Sequence, residues 1–154
     1  MSTKNIFKIP LIFISLVFLN GCAETDSSGS VNFGEISFEN SGSVDAQESF
    51  LIGVKSLHNF QFDDARIAFE EAAEIDPTFA LAYWGQAMSN NFPLWARQNT
   101  EEARNALKKF APTYESRLEL AQSEKEKAFM SAAEALVFSS EDKLERDFAY
   151  SDVM

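Results

Sequence analysis

The 154-residue chain is poor in the residues that build redox, metal and phosphate sites. It has one cysteine and one histidine, which excludes a disulfide framework and any metal site made of several Cys or His ligands. With six glycines, it carries neither common glycine-rich phosphate loop. Its 13 Lys and Arg residues face 24 Asp and Glu. The formal charge of −11 argues against a nucleic-acid-binding surface, because such a surface needs basic side chains to displace counterions from phosphates.

Long apolar runs are also scarce, and the only sustained one lies near the start. Ile9 to Leu19 contains eleven residues and follows Lys4 and Lys8 without an intervening acid. A membrane-spanning helix needs roughly 20 apolar residues, so this run is too short for an ordinary one. A basic start followed by a short apolar core is typical of an export signal.

The end of that run specifies the kind of signal. The sequence Leu19-Asn20-Gly21-Cys22 resembles a bacterial lipobox. The resemblance implies a lipoprotein signal peptide over residues 1–21, lipid attachment to the Cys22 sulfur, and acylation of the new N-terminus. An ordinary secretory signal followed by a stray cysteine, or an uncleaved anchor, are the alternatives.

Cleavage before Cys22 would leave 11 basic and 24 acidic residues, a formal charge of −13. Several acyl chains hold a protein to a membrane far better than one, while anionic headgroups repel an acidic body. We therefore expect a protein tethered to the cell envelope that stands off the bilayer. Ala23 follows the cysteine. In a Gram-negative cell, resemblance to sorted lipoproteins implies the outer membrane, facing the periplasm.

Residues 22–45 are predicted to be the lipidated N-terminus, a linker and an extended arm. Ala23 to Ser30 is polar and rich in Ser, as flexible linkers are. Val31 to Phe38 alternates loosely, which favours an arm packed on helices over an isolated strand. Ser43 or Asp45 is expected to cap the first helix.

From residue 46 onward the apolar spacing is three and four, which predicts an all-α region over 46–154. The predicted helices are 46–59, 63–75, 78–90, 100–110, 114–121, 123–138 and a last one after Ser139 or Ser140. Asn99 and Ser123 each begin a capping-box pattern, and a loop is expected over 95–99.

The first two helices resemble a tetratricopeptide repeat, a 34-residue helix–turn–helix unit. The matching positions are Gly53, Phe62, Ala65, Phe69, Ala72 and Pro77. The resemblance implies that Gly53 and Ala65 let the two helices approach closely, that Phe69 fills the groove between them, and that Pro77 ends the pair. Ala80, Tyr83 and Ala87 resemble the first helix of a second repeat, so the motif covers about 46–88.

A longer pattern resembles one group of bacterial tetratricopeptide-repeat proteins of largely undetermined function. It includes Phe38-x-Asn40-Ser41, Ala82-Tyr83-Trp84-Gly85-x-Ala87-Met88 and Glu145-Arg146-Asp147-x-Ala149-Tyr150. The resemblance implies a longer protein with further helical repeats. Because about three repeats are needed for a stable stack, the sequence predicts an N-terminal fragment with apolar surface open at its C-terminal end.

In such repeats the first helices line the concave face, which the resemblance implies is the binding face. The implied peptide-binding positions are Gln47, Phe50, Val54, His58, Leu81, Trp84 and Met88. The expected function is a lipid-anchored scaffold that binds a protein or peptide and has no enzymatic activity, cofactor or metal. The alternatives are the anchor and first repeats of a larger envelope enzyme, or a subunit of an envelope assembly machine.

Three groups of side chains contain residue types that could support other chemistry. His58 is expected to be a packed or surface residue at a helix end rather than a general base. Glu70, Glu71, Glu74 and Asp76 are expected to form a solvated acidic face rather than a cation site. Tyr83, Trp84, Phe92 and Trp95 are expected to form the core of a repeat junction, with a ligand groove as the alternative.

Replacing the predicted lipidation residue, Cys22→Ser, should release the protein from membranes, because the sulfur that accepts the lipid is lost. Salt-washed membrane and soluble fractions of a bacterium expressing the full chain are compared by immunoblot. Ser27→Ala, in the adjacent linker, should leave the protein in the membrane fraction. Retention of Cys22→Ser in washed membranes would contradict lipid anchoring.

Overall fold

A computed structural model describes residues 34–154, so the predicted signal peptide, Cys22 and the first part of the linker lie outside the described residues. The described part is mostly helical, which confirms the all-α prediction. Its helices are α1 (Gln47–His58), α2 (Phe62–Ile75), α3 (Ala80–Met88), α4 (Thr100–Phe110), α5 (Tyr114–Leu120), α6 (Glu124–Phe138) and α7 (Lys143–Val153). Two 3-10 turns, Val44–Ala46 and Pro93–Trp95, complete the helical elements of this part.

The prediction of a loop over 95–99 is wrong, because part of this segment belongs to a small antiparallel hairpin. β1 (Asn91–Phe92) pairs with β2 (Arg97–Gln98), and the Pro93–Trp95 turn joins them. Ala96 takes a left-handed conformation, with φ of +47°, which returns the chain to the second strand. Two-residue strands are too short to show the alternating pattern by which strands are recognised.

The helix caps agree with the sequence in one case out of four, and neither Ser43 nor Asp45 caps the first helix by a side-chain bond. Ser123 Oγ accepts the Glu126 N–H at 3.2 Å, as predicted. Asn99 makes no side-chain capping bond. The cap of α7 is Asp142, whose carboxylate accepts the Glu145 N–H at 3.1 Å, and not Ser139 or Ser140. Ser139 is unavailable because its hydroxyl donates to the Ala135 carbonyl at the end of α6.

The turn between α2 and α3 is fixed by one carboxylate. Asp76 Oδ1 accepts hydrogen bonds from the N–H and hydroxyl of Thr78, so α3 begins two residues later than predicted, at Ala80. The other oxygen, Asp76 Oδ2, accepts the Ser43 N–H at 2.8 Å. The side chain of Ser43 makes no capping bond. Burial raises the pKa of Asp76, but these hydrogen bonds outweigh it and the net pKa is lowered.

Helix α3 lies at the centre of the packing. It contacts α2, α4, α6 and, over a smaller area, α1; α1 packs along α2, and α6 packs on α5 and α7. Eight of the nine residues of α3 are buried, which explains why its sequence is apolar nearly all round.

Phe69 of α2 sets the spacing of the first three helices. The ring is fully buried, with Gly53 of α1 and Gly85 of α3 against it. A Cβ atom added at Gly53 would lie 2.8 Å from Phe69 Cδ1, and one added at Gly85 would lie closer still to the same ring. No side chain fits at either position without displacing Phe69, so both glycines are required by close packing.

The arm before α1 packs on two distant elements. Phe38 stacks edge-on against Phe50 of α1, with ring centroids 5.5 Å apart, and lies 5.7 Å from Phe129 of α6. The Ser41 N–H donates to Oε1 of the fully buried Glu126 at 2.8 Å. The other oxygen of Glu126 accepts the Gln122 N–H, which satisfies a buried carboxylate that would otherwise be costly.

Helix α7 is held by a buried arginine, while two of its large apolar side chains face solvent. Leu144 and Phe148 are 62% and 63% exposed, whereas Arg146 is 4% exposed. Arg146 donates to Gln98 Oε1 and Thr100 Oγ1 on the hairpin side, and to the carbonyls of the α6–α7 turn. The planar guanidinium reaches all of these acceptors at once, which the apolar period of α7 does not reveal.

Gly85→Ala should destabilise the fold by about 2–3 kcal/mol through overpacking against Phe69, although alanine is the better helix former by roughly 1 kcal/mol. Urea unfolding followed by circular dichroism measures the change. Phe69→Leu removes the obstructing ring, so adding it to Gly85→Ala should cost less than the sum of the two single changes. Additive costs would show that Gly85 and Phe69 do not compete for space.

Arg146→Lys should destabilise the protein by about 2 kcal/mol, because an ammonium cannot reproduce the fork of hydrogen bonds. Amide hydrogen exchange should increase in α7 before it increases in α1. Arg66→Lys is the matched control, since Arg66 makes one half-exposed pair with Glu70 and should change stability by about 0.5 kcal/mol or less. Equal effects of the two substitutions would contradict the proposed role of Arg146.

Candidate functional site

An apolar groove of about 440 Å³ is the strongest candidate site in the described part of the chain. Its wall residues come from the arm, α1, the α1–α2 turn, the start of α2, α3, α6, α7 and the hairpin. They are Phe38, Leu57, His58, Phe60, Phe62, Trp84, Met88, Asn91, Pro93, Phe129, Tyr150 and Met154. The volume lies within the range of small-ligand and peptide-anchor pockets, and most of its lining is apolar.

Aromatic contacts hold the inner wall of the groove in place. Phe129 of α6 meets Trp84 of α3 edge-on, with ring centroids 5.0 Å apart and planes 83° apart. Phe38 lies against the other side of Phe129. Edge-to-face pairs are favoured by the charge distribution of the rings, so this wall is built before any ligand arrives.

Two buried polar atoms on the groove residues have no partner among residues 34–154. They are Trp84 Nε1, a hydrogen-bond donor, and Asn91 Oδ1, an acceptor. Trp84 is 5% exposed. Buried donors and acceptors are normally paired, and leaving one unpaired costs about 1–3 kcal/mol. A peptide backbone offers one acceptor and one donor per residue, so it has the matching groups.

His58 and Tyr150 add polar groups at the same groove. His58 Nδ1 lies 2.8 Å from the Val54 carbonyl, one turn earlier on α1. With Nδ1 as the donor of that bond, Nε2 is left as an acceptor. Burial raises the pKa of the Tyr150 phenol, which keeps it a neutral hydrogen-bond donor at physiological pH.

The structure brings together three of the seven predicted concave-face residues, His58, Trp84 and Met88. Phe50, Val54 and Leu81 are buried in the core and offer no surface. Gln47 is half-buried and bonds to Asn40, Gly42 and Ser43 in the arm. Phe50 is covered by Phe38 of the arm, Phe69 of α2 and Phe79, so it lies in the core and not on the face to which the resemblance assigned it.

Sequence reasoning missed most of the far side of the groove. The apolar spacing indicates only that Phe129 lies on the buried side of a helix, and Tyr150 belongs to the late Glu145–Tyr150 pattern. Met154 and Asn91 carried no signal. These residues reach the groove only through the packing of α6 and α7, which no local spacing encodes.

The four aromatic residues considered as a group separate in the structure. Trp84 lines the groove, whereas Tyr83 stacks on Phe110 with centroids 5.0 Å apart. Phe92 and Trp95 lie at a second pocket beside the hairpin. Between α2, α3 and α4 lies a polar cleft of about 440 Å³, in which Arg66 is paired with Glu70 and the remaining charges are of both signs.

Comparisons with protein-family models, curated proteins and solved structures found no match to this chain. Within residues 34–154, no helix has the length and apolar character needed to cross a bilayer. The same residues contain no group of three or more His, Cys, Asp or Glu side chains placed to hold a metal ion. The acidic run on α2 therefore forms no such cluster within this part of the chain.

Proposed function

We propose that this protein is a lipid-anchored envelope scaffold, built from tetratricopeptide-like helix pairs, whose apolar groove holds a segment of another protein. The observation that carries the proposal is the groove itself: its apolar walls come from six elements and the arm, and two of its lining residues carry an unpaired buried polar atom. Cys22, through the resemblance of its flanks to a lipobox, supplies the anchor in this proposal.

The order of helix packing supports the repeat interpretation. Three successive pairs, α1 with α2, α3 with α4, and α6 with α7, pack together, and α3 contacts both α2 and α6. Gly53, Ala65 and Phe69 occupy the interface of the first pair, where the motif requires small residues and one filling ring. The short α5 stands between the second and third pairs.

The first helix of each pair contributes to one groove, as the binding face of such repeats does. Leu57 comes from α1, Trp84 and Met88 from α3, and Phe129 from α6. An amphipathic helix or an extended segment docking there would bury apolar side chains against these residues.

No reaction is part of the proposal. A nucleophile or general base requires a partner within hydrogen-bond reach. His58, the one histidine, is bonded through Nδ1 to a backbone carbonyl. The groove offers shape, apolar area and the polar groups of four lining residues, and these are the requirements of recognition.

The test is selection from a displayed random 12-residue peptide library against the full chain in maltoside micelles. Selected peptides should be rich in apolar residues and should perturb the indole N–H signal of Trp84 in NMR spectra. Met88→Glu places a charge in the groove and should weaken their binding about tenfold or more.

Ile67→Glu is the control, because Ile67 is 56% exposed on α2 and lies outside the groove. It should leave peptide binding unchanged. Selection that yields only peptides insensitive to Met88→Glu would overturn the proposal, as would peptides that leave Trp84 unperturbed.

A further inference from the structure

A second cavity, here called the aromatic pocket, lies where the α1–α2 turn meets the hairpin. It has a volume of about 530 Å³, and four rings line it: Phe60, Phe62, Phe92 and Trp95. Phe60 and Phe62 also line the groove, so the two surfaces adjoin. Trp84 belongs to the groove alone and Trp95 to the aromatic pocket alone.

The rings are arranged around Phe62. Its centroid lies 4.8 Å from that of Phe92 and 6.2 Å from that of Trp95, with interplanar angles of 73° and 76°. Phe60 lies 6.2 Å away on the remaining side, at 58°. Rings set at steep angles to one another form walls, and the electron-rich faces of such walls attract cations.

Two of these rings are exposed to solvent, and the backbone at or beside them has a positive φ. Phe60 is 51% exposed and Trp95 is 61% exposed. Phe60 and Ala96 are the two non-glycine residues of the described part with positive φ, at +59° and +47°. Phe60 is the left-handed residue that ends α1, where the Gln61 N–H donates to the Ser56 carbonyl, and Ala96 is the left-handed residue of the hairpin turn. These two turns bring Phe60 and Trp95 to the same pocket.

Charges of both signs line the same pocket without neutralising each other. The carboxylates of Asp63 and Asp64, in the first turn of α2, make no hydrogen bond or ion pair with any described residue. The guanidinium carbon of Arg97 lies 4.8 Å from the centroid of Phe92, and within residues 34–154 it pairs with no carboxylate. The lining of the pocket thus carries both anionic and cationic groups.

We propose that the aromatic pocket binds a small zwitterion of the phosphocholine type, with an alkylated ammonium group and an anionic group. The ammonium would lie against the rings on the side of Asp63 and Asp64. The anionic group would meet Arg97, which forms bidentate hydrogen bonds with phosphate and carboxylate. A fully alkylated ammonium has no N–H donors to satisfy, so aromatic walls suit it.

Ligands with a single charge would be repelled by one of the charged groups that line the pocket. A cation without an anionic group would meet the like charge of Arg97, and an anion alone would meet two carboxylates. A neutral apolar ligand would use the rings but leave all three charges unpaired. The zwitterion is the ligand class that complements the rings, the carboxylates and the guanidinium together, and it is supplied either by a free solute or by a phospholipid headgroup.

The test is NMR titration of the full chain in maltoside micelles, with the two indole N–H signals as reporters. Phosphocholine should shift the Trp95 signal saturably and leave the Trp84 signal in place. Choline alone and inorganic phosphate alone should bind on the order of tenfold more weakly, because each satisfies half of the pocket. Equal affinity for choline and phosphocholine would refute the part assigned to Arg97.

Matched variants separate the pocket from general charge effects. Asp63→Asn/Asp64→Asn, Arg97→Gln and Phe60→Leu should each weaken phosphocholine binding about fivefold or more. Glu101→Gln/Glu102→Gln makes the same change in the first turn of α4 and should not alter it. The dispersed Trp84 signal reports that each variant is folded.

Maltoside micelles doped with phosphatidylcholine or with phosphatidylglycerol identify the source. A Trp95 shift with phosphatidylcholine and not with phosphatidylglycerol assigns the ligand to a lipid headgroup, and a shift with free phosphocholine alone assigns it to a solute. No Trp95 shift under any of these conditions, or a shift unchanged in the pocket variants, overturns the proposal. Peptide binding at Trp84 is measured separately, so neither result depends on the other.

Discussion

The position of one buried ring, Phe69, governs the arrangement of the first three helices. The ring is against glycines on both α1 and α3, and a Cβ atom at either glycine would occupy space that the ring fills. This contact brings two backbones within reach of a single side chain. Helix α3 can therefore sit deep enough to be buried on nearly every side, and the elements that follow pack around it.

The depth of α3 also places the candidate groove. With Gly85 against Phe69, the adjacent Trp84 is directed to the side where Phe129 arrives from α6. Met88 follows one turn later on the same face of α3 and reaches the groove. The groove is thus a consequence of how closely α2 and α3 approach, and it is completed by residues from the end of α1.

The helices can be predicted from local apolar periodicity, whereas the candidate site depends on contacts between elements that are distant in sequence. The spacing of apolar residues predicted each helix to within about two residues at most ends. The resemblance to a repeat, and not the spacing, implied that Phe50 and Leu81 line a binding face, although both are fully buried. Phe50 is covered by Phe38 of the arm, Phe69 of α2 and Phe79, and such contacts between elements are not encoded in local spacing.

Buried charges explain the remaining differences. Arg146 and Glu126 occupy positions that a hydropathy pattern assigns to solvent, yet each is at most 4% exposed and hydrogen-bonded. Such residues are tolerated inside only when their polar atoms are satisfied, and those atoms are satisfied here by backbone groups and amides of distant segments. Glu126 fixes the arm through Ser41, and Arg146 fixes the hairpin through Gln98.

The arm and the hairpin are also the elements that border the two candidate ligand surfaces. Phe38 of the arm and Asn91 of the hairpin line the groove, while Phe92 and Trp95 of the hairpin line the aromatic pocket. Apolar packing of α1, α2 and α3 therefore builds a frame, and directional bonds from buried charges set the borders of its surfaces. Burying a charged residue in an otherwise apolar interface costs desolvation free energy. Here the buried charges also hold the arm and the hairpin, and these two elements carry residues that a ligand would contact.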